Sequence, residues 1–147
     1  MKRLFVNTLV MVIAVLTMTA CNDEKTIQQD ELPAAATTFI ATYFSDATIT
    51  HAQKENDGLL GREFTVYLND ATEIEFDRDG DWVSVDGAED ASIPTGFILV
   101  PIVTYVSTTY SDATISSIVK ERNGFDVDLT NGLDLEFDPD GNFVRVD

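Results

Sequence analysis

Three hydrophobic rhythms follow one another along the chain. Residues 4–16 (LFVNTLVMVIAVL) form an almost unbroken apolar run. After Pro33, the residues Ala36, Phe39, Ile40, Tyr43 and Phe44 recur at spacings of three and four, which predicts a helix with one apolar stripe. Proline at its start costs nothing, because that N–H has no helical acceptor. Ile102, Tyr105, Val106 and Thr109–Tyr110 make an equivalent stripe, in which Pro101 either kinks the helix or starts its main segment. Elsewhere the period is two. Phe64, Val66 and Leu68 alternate with Thr65 and Tyr67, and Phe125, Val127 and Leu129 alternate with Asp126 and Asp128. Ile74 and Phe76, then Leu133, Leu135 and Phe137, then Val83 with Val85 and Val144 with Val146, extend the pattern. Such alternation predicts antiparallel strands packed on one side only. Asn131-Gly132 signals a two-residue hairpin, Asp70-Ala71 is its weaker counterpart, and Asp79-Gly80 and Asp140-Gly141 mark the next turns.

The patterns occur twice. Residues 45–56 (SDATITHAQKEN) and 111–122 (SDATISSIVKER) agree at 7 of 12 positions, and residues 74–86 and 135–147 at 8 of 13. Each copy is near the lower size limit for independent stability, so the two are expected to share a core. The predicted fold is α+β: a tandem repeat of one helix followed by about four antiparallel strands, helices on one sheet face and the other face open. The boundaries read as a signal at 1–20, a tether at 21–32, a first repeat at 33–86, a linker at 87–92 and a second repeat at 93–147.

The first apolar run is an export signal. Lys2 and Arg3 precede it, and its thirteen residues fall short of the roughly 20 that a membrane span needs. Small residues lead into the chain's single cysteine at Met18-Thr19-Ala20-Cys21, which fits a lipobox with Cys21 as the lipid-bearing first residue of the processed chain. A disulfide has no second cysteine to use. Residues 22–32 (NDEKTIQQDEL) read as a flexible acidic spacer. The expected location is the bacterial cell envelope, lipid-anchored, in an outer membrane facing the periplasm or cell surface. Membrane contact is expected through the anchor alone.

Charge narrows the partners. Without residues 1–20, seven basic residues face 26 acidic ones, a formal charge of −19. That balance repels nucleic acid; it favours basic proteins or cations, or simply maintains solubility. The expected partner is an unidentified protein, a basic one where the charge selects it, met by a monomer. Chemistry is scarce: His51 is the single histidine, and Ser117 replaces it in the second copy. Neither a Cys/His cluster nor a Gly-rich phosphate loop is present. No enzyme activity and no cofactor are expected. Asp77 and Asp79, and Asp138 and Asp140, mimic parts of a calcium loop. An EF-hand needs flanking helices, however, and these flanks alternate as strands, so two hairpin turns explain the same residues.

Leu32-Pro33 with Phe39-Ile40, then YFSDATI (43–49), FDRDGDW (76–82) and their second-copy counterparts resemble the PepSY-like, beta-lactamase-inhibitor-like proteins of Bacteroidetes. The resemblance implies helices packed on an antiparallel sheet whose other face is open and concave, a face that the true inhibitor uses to clasp an enzyme. Two functions follow as expectations: a protein-binding module, inhibitory or not, or a structural or calcium-responsive envelope lipoprotein. By strand parity Tyr67, Trp82, Phe143, Asp126, Asp128, Asp134 and Glu136 should point away from the helices and form a partner site. Alternatively, Trp82 and Phe143 pack on their hairpin neighbours. Leu59 and Leu60, in an insertion between two strands, either meet a partner or seal the core edge.

Replacing Cys21 by serine should move the protein from the membrane fraction to the soluble fraction and block normal processing. Unchanged detergent partitioning of that variant would overturn the anchor assignment.

Overall fold

The computed structural model describes residues 24–55, 63–89 and 91–147. Their strands are β1 (Glu24–Thr26), β2 (Ile49–Glu55), β3 (Phe64–Leu68), β4 (Glu73–Phe76), β5 (Trp82–Asp86), β6 (Ile115–Glu121), β7 (Gly124–Leu129), β8 (Asp134–Phe137) and β9 (Phe143–Val146). Two helices, α1 (Ala34–Tyr43) and α2 (Val100–Thr109), precede β2 and β6. All nine strands join in one antiparallel sheet, in sequence order from β1 at one edge to β9 at the other.

This corrects the expected tandem α+β repeat. Over the described residues the fold is mostly β, a single nine-stranded open sheet with two helices, and no boundary there divides it into helix-plus-four-strand units. The reason lies in the middle. Ser84, Val85 and Asp86 of β5 pair with Val119, Ile118 and Ser117 of β6, so the backbone ladder runs straight across the presumed linker region. Val66, Ile74, Val85, Ile118 and Val127 form one cross-strand row, each completely buried, and Leu135 continues it. Ile40 and Ala36 of α1, and Ile102 and Val106 of α2, close over that face. Pro101 sits in the first turn of α2 and starts the helix without kinking it.

The spacer expectation for 21–32 also fails where the residues are described. Glu24–Thr26 pair with Glu55, Lys54 and Gln53 as the edge strand. Ile27 and Leu32 are buried in the core, and Gln28 and Glu31 close a capping box around a 3-10 turn at Gln29–Glu31. Two apolar residues among polar neighbours have no period to recognise, yet they suffice to dock the segment.

The tight turns share one construction. In the β7–β8 hairpin, Leu129 receives the Gly132 N–H at 2.8 Å and donates to the Leu133 carbonyl at 2.9 Å. This is a three-residue loop with Gly132 left-handed at φ +79°, where the sequence suggested two residues. The β4–β5 and β8–β9 loops repeat it with Gly80 at +86° and Gly141 at +81°. The β3–β4 loop uses the same bonds, but Ala71 occupies the left-handed position at φ +67°. An L side chain there pays roughly 1–2 kcal/mol in backbone sterics.

Two outcomes follow. Ala71→Gly should raise unfolding stability by about 0.5–1 kcal/mol, the steric relief less glycine's entropy cost. Ile118→Ala, on the central row, should cost about 2–5 kcal/mol and shift one cooperative urea transition as a whole. Two separable transitions would show that the halves fold independently.

Candidate functional site

Strand pairing assigns each side chain to a face. Opposite the helices, one row runs Gln53, Thr65, Glu75, Ser84, Val119, Asp126, Glu136 and Arg145, and the next runs His51, Tyr67, Glu73, Asp86, Ser117, Asp128 and Asp134. Seven of these are carboxylates. Thr65, Ser84 and Ser117, the small side chains at the centre, are buried between longer neighbours. The open face is therefore a polar surface whose charge is concentrated on β4, β5, β7 and β8.

Like charges face each other directly. Asp128 lies opposite Asp134, and Asp126 opposite Glu136. Such cross-strand pairs are unfavourable unless a proton or a cation intervenes. Asp128 accordingly has its carboxyl pushed above the usual carboxylate range, first by burial, then by its hydrogen bond with Asp134 and the Asp134 charge, with Asp86 adding to the effect; the Ser117 hydroxyl opposes it. Asp126 is raised as well, by burial and by the charges of Glu121, Glu136 and Asp147, against Arg145. Arg145 is the cation of this region. Its guanidinium donates to Glu136 and lies 3.5 Å from Asp147.

The structure places Tyr67, Asp126, Asp128, Asp134 and Glu136 on this open face, with the His51 ring 5.9 Å from Tyr67. Trp82 and Phe143 are not there, which corrects the parity assignment. A bulge in β5 pairs Glu75 with Ser84 but Phe76 with Trp82, skipping Val83. The same slip in β9 pairs Glu136 with Arg145 and Phe137 with Phe143, skipping Val144. One extra residue turns each aromatic to the helix face. Trp82 stacks near Phe39 of α1 at 6.5 Å and meets Phe97 edge-on at 5.1 Å. Phe143 stacks on Tyr105 of α2 at 4.5 Å and 10°. Lys120 covers Trp82 from the next strand, its Nζ 3.9 Å from the ring centroid. Burial lowers the Lys120 pKa, while Asp81 and Asp77 act the other way.

Strand parity missed Glu73, Glu75 and Asp86, three of the face's carboxylates. The period-two signal was available for all three, from the alternation of Glu73 and Glu75 with Ile74 and Phe76 and of Asp86 with Val85. Leu59 and Leu60 lie outside the described residues.

The aspartates of the calcium-like motif are occupied within their turns. Asp77 Oδ1 accepts the N–H groups of Asp79 and Asp81, both at 2.9 Å. Asp138 Oδ1 accepts those of Asp140 and Asn142 at 3.0 and 2.8 Å. The Asn142 amide above all holds the Asp138 carboxyl below its ordinary range. Strands flank both loops, as a hairpin requires and an EF-hand forbids. Among the described residues, no three His, Cys, Asp or Glu side chains are grouped to hold a metal ion. No described helix is long and apolar enough to cross a membrane.

Residues 62–145 match the protein family described as putative beta-lactamase-inhibitor-like, PepSY-like. Three solved structures are similar over nearly their whole length. A putative calcium-regulated periplasmic protein from Bacteroides thetaiotaomicron is 34% identical, with TM-score 0.78, over 85% of this chain and 97% of its own. A putative periplasmic protein from Bacteroides vulgatus is 31% identical, with TM-score 0.78, over 86% and 98%. Another from the same species, of unknown function, is 29% identical, with TM-score 0.76, over 84% and 98%. No curated protein matches the chain.

The geometry sets two expectations. Trp82→Ala should destabilise the fold by about 2–4 kcal/mol, since the ring is part of the helix–sheet packing; an unchanged melting temperature would return Trp82 to the candidate binding residues. Asp128→Asn should stabilise the protein at neutral pH. A carboxyl whose pKa is raised on folding favours the fold when protonated, and that advantage is lost as pH rises from the ordinary carboxylate range through the raised value. The gain should therefore vanish below about pH 4, and a gain that persists in acid would exclude charge repulsion as its cause.

Proposed function

This chain belongs to the PepSY-like family of beta-lactamase-inhibitor-like proteins, and from that premise we propose that it is a lipid-anchored, extracytoplasmic protein-binding module whose open sheet face receives a basic partner. The observation that carries the reading is the row-by-row concentration of carboxylates on the sheet face that no described helix covers. Complementary charge draws a basic surface to such a face and fixes its orientation. Tyr67 and Val119 supply apolar contact between the acids. Trp82 and Phe143 pack on the helix side, against Phe39 and Tyr105, and take no part in contact.

Inhibition of an enzyme is the narrower form of this reading. The family resemblance supports it, and it requires only that the partner's catalytic cleft be rimmed by basic residues. The periplasmic description of the related Bacteroides structures supports an extracytoplasmic site of action. Cys21 supports retention at a membrane.

The test uses the processed chain with Asp126→Asn, Asp128→Asn and Glu136→Gln combined, compared with the unaltered chain on basic proteins of the producing cell's envelope. The unaltered chain should bind one or a few of them, with affinity falling steeply toward about 0.5 M salt. Neutralisation should weaken binding by about tenfold or more while the melting temperature holds or rises. Equal binding by both chains, or binding indifferent to salt, would overturn the assignment to this face.

A further inference from the structure

We propose that the β9 edge of the sheet pairs with the β9 edge of a second copy of this chain, antiparallel and about a two-fold axis at Val146. The template for this contact is a joint inside the chain, and it does not depend on what the open face binds.

The two halves of the sheet end in matching strands. Residues 74–86 align with 135–147, which sets Ser84, Val85 and Asp86 of β5 against Arg145, Val146 and Asp147 of β9. Both strands slip by one residue at the same place, beside the aromatic that turns to the helices. Beyond β5 lies β6, which pairs with those three residues, and Val85 is fully buried. Beyond β9 no described strand lies, and Val146, opposite Leu135 on the helix face, is 45% exposed. The bulge does not close this kind of edge, since β5 carries it and pairs. The backbone is also turned for pairing. Asp147 donates its N–H to the Asp134 carbonyl at 3.0 Å, so the alternation of an antiparallel ladder points the Val146 N–H and carbonyl outward.

Surface chemistry separates the two edges of the sheet. Among the described residues the exposed large apolar side chains are Leu99, Val100, Val144 and Val146. They lie on β9 or at the start of α2, where Leu99 flanks Gly141 of the β8–β9 loop. At the other edge β1 reads Glu24, Lys25 and Thr26, the charged kind of strand that resists further pairing.

Register selects the occupant. Centred on Val146, the two-fold joins Val146 to Val146 of the second copy through a reciprocal pair of backbone hydrogen bonds. It also sets Arg145 opposite Asp147 of the second copy, and Asp147 opposite its Arg145. These two groups already attract within one chain, 3.5 Å apart. A two-fold centred on Arg145 would instead oppose two arginines, and like charges directly opposite are unfavourable. The resulting ladder has three residue pairs, as many as join β5 to β6. So small a contact makes a weak pair. The strong negative charge of each chain opposes it until salt screens the repulsion.

The experiment uses residues 22–147, which include every described residue and no cysteine, with Val146→Cys and Val144→Cys made singly. Under mild oxidation Val146→Cys should form linked pairs about fivefold faster or more. The register holds the two 146 Cα atoms about 5.5 Å apart, within reach of a disulfide, and the two 144 positions about 13 Å or more apart. Val144 is the more exposed, at 56%, so random collision would give the opposite order. In sedimentation the unaltered chain should move from one chain toward two between about 10 μM and 1 mM. The shift should be larger in about 0.5 M salt than in dilute buffer, the reverse of a basic partner's binding to the open face, so the two readings fail separately. Asp147→Arg should weaken the pairing about tenfold although it lowers the net charge, because it sets arginine against arginine. A one-chain mass throughout that range at both salt levels would overturn the proposal. So would faster linking at position 144, or pairing that Asp147→Arg leaves unchanged or strengthens.

Discussion

The pairing of β5 with β6 joins two stretches of chain that would each be too small to bury a core. Three residue pairs form this ladder, and through it the buried row on β3, β4 and β5 continues into β6, β7 and β8. An apolar row of that width needs a cover on one face, and α1 and α2 provide it with Ile40, Ala36, Ile102 and Val106. Two ten-residue helices are enough to cover one face and cannot cover two. Among the described residues the open face thus follows from there being two short helices, both on the other side.

Tight turns hold the sheet to the helices. Gly80 sits in a loop packed so closely on the start of α1 that a Cβ would stand 2.7 Å from that of Pro33 and 2.9 Å from the Ala36 nitrogen. Gly141 takes the matching place over Pro101 and Ile102 with more room, at 3.3 Å. Glycine in these loops serves two needs together, a left-handed backbone and a close approach. The Asp77 and Asp138 carboxylates order the same loops by accepting backbone N–H groups, and this is why an Asp-rich sequence here codes for a turn.

Much of this was legible in the chain. The stripes at 36–44 and 102–110 mark the two helices, and alternation marked β3, β4, β5, β7, β8 and β9, whereas β1, β2 and β6 carried no such mark. What misled was local. A single bulge residue, Val83 in β5 and Val144 in β9, reverses the parity of the aromatic before it, so Trp82 and Phe143 were assigned to the open face while packing against Phe39 and Tyr105. Alternation has no means of registering an extra residue, because both settings of the strand keep period two on either side of it. The tether failed for a different reason. Ile27 and Leu32 are docked by tertiary contacts that no short-range pattern encodes. The architecture was misjudged because internal similarity reports local structure twice, while the β5–β6 ladder that merges everything into one sheet is a non-local pairing.

The electrostatics of the open face bear on how a partner would be held. Asp128 opposite Asp134 and Asp126 opposite Glu136 work against the fold, and Arg145 offsets only the outermost part of that repulsion. A surface arranged this way already carries carboxyls that hold protons more tightly than usual. When a cationic side chain approaches, it stabilises the ionised form, so binding and proton release are linked through the same groups. Two terms then add in favour of a basic partner: its own attraction to the face, and relief of a repulsion that the free protein bears. Both weaken as pH falls toward the raised carboxyl range, since protonated Asp126 and Asp128 neither attract a cation nor repel each other's neighbours. The like-charge pairs across β7 and β8, which look like a flaw in the free sheet, are therefore what would make a basic occupant more favourable than water.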